Sequence, residues 1–89
     1  MDYEEYKEQQ IIKEERRERC RWCKDAIQWA NSAAETLDSS RNEVRKLRNQ
    51  VKAAASRYAE TGNPEAQEAA RFLISQMVDM LEDYCDMRM

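Results

Sequence analysis

Apolar residues recur every three or four positions from Trp22 to Tyr58 and again from Ala66 to Cys85, with charged and amide side chains between them. That period belongs to amphipathic helices. Residues 1–60 contain neither Gly nor Pro, and the only Gly (Gly62) and the only Pro (Pro64) then fall together. These are the strongest local punctuators, so the pattern reads as an all-α chain with one firm corner at 61–64.

On a helical wheel the stretch Trp22–Leu37 separates cleanly. Trp22, Cys23, Ala26, Ile27, Trp29, Ala30, Ala33, Ala34 and Leu37 fill one half, and polar residues fill the other. A half-apolar helix is too wide for one neighbour and wants two. From Val44 to Tyr58 the stripe narrows to Val44, Leu47, Val51, Ala54, Ala55 and Tyr58, the width of a coiled-coil seam. The last helix opens on Asn63-Pro64-Glu65, which suits an N-cap followed by proline at the first helical position. Its apolar face is broad and leaves Phe72 outside, either as a surface aromatic or as a contact with something else.

Whether the first sixty residues form one helix or two is the open architectural question. Asp38-Ser39-Ser40 is a polar cluster, and Ser40-Arg41-Asn42-Glu43 fits a capping box, which argues for a break. Cys23, Ala30, Leu37, Val44, Val51 and Tyr58 hold a seven-residue spacing straight through that cluster, which argues against one. The balance favours a bend or a continuous helix over a tight turn. The expected organisation is one domain over residues 1–89: frayed over 1–15, helical over about 16–60 with any bend at 38–40, a turn at 61–64, and helical again over about 65–87. The fold class is an elongated helical hairpin or a three-helix bundle with coiled-coil-like packing.

The two versions differ in consequence. Residues 65–88 can cover only about 36 Å of a continuous helix at 1.5 Å per residue. The Trp22–Leu37 face would then lack a partner within the chain, and so much apolar area does not stay in water. Continuity therefore requires a homo-oligomer, with Trp22, Ala26, Trp29 and Ala33 as the expected interface. A break permits a monomeric three-helix bundle, and the two broad faces favour an oligomer in either case.

Charge sharpens this picture because it comes in blocks. Of the 89 residues 37% are charged, and the net charge is -3. Residues 2–15 sum to -4, 16–24 to +4, 25–40 to -3, 41–59 to +5 and 60–89 to -5. The turn at 61–64 sets the last two blocks side by side, where mutual neutralisation is expected. An acidic chain with pI near 5.0 is a poor binder of duplex nucleic acid, which demands many neutralised phosphates.

Within 16–24, Arg16, Arg17, Arg19, Arg21 and Lys24 surround Trp22. Forked guanidinium donors suit carboxylate or phosphate, and an aromatic among them supplies a packing surface. Arg17, Arg21 and Lys24 are the expected charge-bearing binding residues and Trp22 the packing one. The competing account is a solvated helix whose cations are paired by Glu14, Glu15 and Glu18.

Other chemistry has little to stand on. There is no His, which removes the commonest general base and metal ligand. Cys20-Arg21-Trp22-Cys23 is a Cys-x-x-Cys, but with Cys85 it offers three thiols where zinc normally takes four ligands. No catalytic residue, metal or cofactor is expected. Three cysteines without a signal-peptide pattern point to reduced thiols and a cytoplasmic setting, and no run reaches the length of a membrane span.

The nine residues Ala26-Ile27-Gln28-Trp29-Ala30-Asn31-Ser32-Ala33-Ala34 resemble a tryptophan-bearing helix in small phage hairpin proteins that sequester cyclic-nucleotide signals. The resemblance implies a phage-encoded nucleotide sponge, and no residue role is carried over with it. The expected function is a small non-enzymatic helical interaction protein (adaptor, chaperone-like or inhibitor) acting through oligomerisation and a macromolecular protein partner. The alternative is a small anionic-ligand binder that uses Arg/Lys and Trp at a subunit interface.

Overall fold

The structure is a computed structural model that describes the backbone of residues 3–88 and the side chains of Lys7, Gln10 and residues 13–86. Its chain forms three helices, α1 (Tyr3–Leu37), α2 (Asn42–Thr61) and α3 (Pro64–Arg88). They pack antiparallel in succession into an elongated bundle of 62 × 21 × 18 Å, with α1 closest to α2, α2 to α3, and a looser contact between α1 and α3.

The continuous helix is not what forms. The chain reverses at residues 38–41, so the first sixty residues hold two helices. Asp38 takes a left-handed backbone with φ 85°, a conformation Asp tolerates better than most residues. Its Oδ1 accepts hydrogen bonds from the Ser40 amide at 3.0 Å and the Ser40 hydroxyl at 2.6 Å. The Arg41 amide then donates to the Asp38 carbonyl at 3.1 Å, closing the turn. The expected capping box does not form, because Ser40 is engaged backwards by Asp38 and the N-cap position falls to Arg41, which makes no side-chain cap. These hydrogen bonds and the nearby Arg41 hold the Asp38 carboxyl below its ordinary pKa of 3.8.

The second corner matches its residues closely. Gly62 is left-handed at φ 70°, and its amide donates to the Tyr58 carbonyl at 2.8 Å, which ends α2. Asn63 Oδ1 accepts from the Glu65 amide at 3.0 Å as the N-cap of α3, with Pro64 at the first helical position.

With the first corner made, the Trp22–Leu37 face closes on its own chain. Ala30, Ala33, Ala34 and Leu37 of α1, Val44 and Val51 of α2 and Met77 of α3 form the core, with Trp29, Leu47, Leu73, Ile74, Met80, Leu81 and Tyr84 packed around it. The alanines of α1 let the α2 backbone approach closely, and the broader side chains of α3 fill the remaining space. Ala26 and Ala33, expected at an oligomer interface, are 7% and 5% exposed inside the bundle, and no second copy is needed to cover them. Trp22 and Trp29 of the same expected interface stay half-buried and line an open groove with Ile74 and Val78.

Candidate functional site

The corner at Gly62 lies beside Arg19, so the α2–α3 turn meets α1 well after the start of that helix at Tyr3. Helix α1 is 35 residues long and α2 only 20, about 52 and 30 Å at the helical rise. The first turns of α1, from Tyr3, therefore continue past the bundle. Met1 and Asp2, part of the stretch expected to fray, lie outside the described residues, as do the side chains of Tyr3, Tyr6, Ile11 and Ile12.

At this end Trp22 stands half-buried and meets Tyr58 edge to face, with ring centroids 5.4 Å apart at 78°. Beside the rings a groove of about 380 Å³ is lined by Glu15, Glu18, Arg19, Gly62 and Gln67. Arg19 is half-buried, and its Nε is buried without a hydrogen-bond partner. Its guanidinium lies where a Cβ on residue 62 would be, 2.8 Å from Nη1. Glycine at that corner thus serves both the left-handed backbone and the seat of Arg19.

The four expected binding residues are not brought together. Arg17, Arg21 and Lys24 are exposed and lie at i, i+4 and i+7, in one stripe on the outside of α1. Trp22 is about 100° around the helix from Arg21 and points to Tyr58 instead. The arginine that does accompany Trp22 is Arg19, which the same wheel places three residues before it on the inner side. Counting cations along the chain hid this, whereas their angle would have found it.

Among the described residues the single ion pair is Arg41–Glu43 at 3.8 Å, both side chains exposed. Glu14, Glu15 and Glu18 therefore do not pair Arg17, Arg21 or Lys24. Nor, among the described residues, does an ion pair link the basic and acidic blocks across the hairpin, although α2 and α3 lie side by side. Their facing sides are apolar (Val44, Val51 and Ala55 on one, Ala66, Ala70 and Met77 on the other), so the charges turn outward. Lys46, Lys52 and Arg57 are exposed on α2, and Glu65, Glu68, Asp79, Glu82, Asp83 and Asp86 on α3.

Cys20, Cys23 and Cys85 are free thiols, and among the described residues no three Cys, His, Asp or Glu gather in a way that could hold a metal. No described helix is long and apolar enough to cross a membrane. No protein-family model, curated protein or solved structure matches this chain.

Proposed function

We propose that this chain is a small non-enzymatic interaction module, an adaptor or inhibitor, that docks on an acidic protein surface through Arg17, Arg21 and Lys24. The observation supporting it is the stripe itself: three cations on one helical face, exposed and, among the described residues, outside any ion pair. They span about 10 Å of helix, a length that suits a short run of carboxylates. Each guanidinium offers a forked pair of donors to a carboxylate, which a lysine ammonium does not. A long nucleic acid fits less well, because the acidic face of α3 and the acids preceding Arg16 would repel further phosphates.

The nucleotide alternative would turn to the groove beside Trp22 and Tyr58. There a ring could stack, but Glu15 and Glu18 share the wall with the lone Arg19 and disfavour an anion.

A fluorescent polyglutamate peptide is the direct probe. Each exposed charge contact is worth under about 1 kcal/mol, so Arg17→Gln with Arg21→Gln should weaken its binding about 5–30-fold. Arg17→Lys with Arg21→Lys should weaken it less, in the same direction. Equal affinity of the folded wild type and the glutamine variant would remove the proposal.

A further inference from the structure

Among the described residues Phe72, 63% exposed, is the largest apolar side chain the bundle leaves in water. On the wheel of α3 it lies about 60° from Ala69, and Ala69 with Ala53, Ala54 and Leu73 lines a shallow groove between α2 and α3 of about 360 Å³. A protruding aromatic beside a small-residue groove on one face is self-complementary, which is the requirement of a two-fold interface. We infer that the occupant of this face is a second copy of the chain, set so that α2 of each copy lies along α3 of the other.

Symmetry fixes which residues would meet. The hairpin turns at Gly62–Asn63, so residues equidistant from that corner are level: Ala53 with Phe72, Arg57 with Glu68, and Lys46 with Asp79. A two-fold axis parallel to the helices leaves height unchanged, so the same levels face each other between copies. Phe72 of one copy then enters the groove beside Ala53 of the other. Arg57 meets Glu68, and Lys46 meets Asp79, each twice. All four charged residues are exposed and none is in an ion pair, so they are available for this. The pairing is opposite in sign at the centre of the face and like in sign at its ends, where Glu60 is level with Glu65 and Glu43 with Glu82. The contact is therefore centred on Phe72.

The face is about 30 Å long and 20 Å wide, so the dimer buries about 1,200 Å² in total, the lower edge of specific interfaces. A weak, concentration-dependent dimer follows. This interface uses none of Arg17, Arg21 and Lys24, and so stands or falls independently of the acidic-partner reading.

Sedimentation velocity across a concentration series, with helix content checked by circular dichroism, tests it. The wild type should pass from monomer to dimer by high micromolar concentration. Phe72→Glu, at a position already in solvent, should stay helical and raise the dissociation constant about 10–100-fold. Lys46→Glu with Arg57→Glu should also dissociate the dimer, and adding Glu68→Lys with Asp79→Lys should restore it. A wild type that remains monomeric, a Phe72→Glu variant that still dimerises, or a fourfold charge swap that stays monomeric while folded would each overturn the assignment.

Discussion

Trp22 and Tyr58 meet edge to face at 5.4 Å and tie the middle of α1 to the last turn of α2, beside the corner at Gly62. This contact fixes how far α1 runs past the bundle, because it lies one turn from the Arg19–Gly62 packing. Edge-to-face pairs contribute about 0.5–1.5 kcal/mol beyond the area they bury. A double-mutant cycle with Trp22→Ala and Tyr58→Ala, read by urea unfolding, should return a coupling in that range. Additive single effects would show that the rings are neighbours without interaction.

Met77 is fully buried on α3 within the core, whereas Leu73 is only half-buried at its edge. Met77→Ala should therefore cost about 2–5 kcal/mol and Leu73→Ala distinctly less. Urea denaturation of both variants gives the order. A larger cost at Leu73 would mean that α3 is rotated from this position on α2.

Asp38 controls the first corner, and its carboxyl sits below its ordinary pKa of 3.8 because both the hydroxyl and the amide of Ser40 donate to the charged form, with Arg41 adding to this. A group whose pKa is lowered on folding contributes stability that is complete above its ordinary value and is lost as pH falls through its folded value. The wild type should accordingly lose a component of stability below pH 3.8 that Asp38→Asn lacks, since the amide keeps an acceptor oxygen and does not titrate in that range. Parallel acid profiles for the two proteins would show that the turn does not depend on the charge.

The corner at Gly62 was legible because each residue there admits one main use: a left-handed stop, an N-cap and a first-turn proline. The corner at Asp38 was not, and the reason is geometric. Ala30 and Leu37 on α1 and Val44 and Val51 on α2 keep one seven-residue spacing because both helices present that stripe to the same core, and Cys23 and Tyr58 continue it half-buried at either end. A short connection that happens to preserve register leaves no mark in the period. The buried face followed the wheel on α1 and α2, and on α3 for Ala66, Ala70 and Met77 with Phe72 outside, but Ala69, Val78 and Cys85, on the apolar side of that last wheel, are exposed. The site was read less well, since proximity along the chain put Trp22 among Arg17, Arg21 and Lys24 while the helix turns it away from them.

In the proposed reading the exposed charges of this bundle are sorted by face, and the α1 stripe is the part that meets an acidic partner. Polyglutamate binding should be compared in two folded variants that each remove two cations, Arg17→Gln with Arg21→Gln on α1 and Lys46→Gln with Arg57→Gln on α2. The account predicts a loss of about 5–30-fold for the first and little change for the second. Equal losses in the two variants would mean that the peptide responds to total charge rather than to the stripe, and would contradict it.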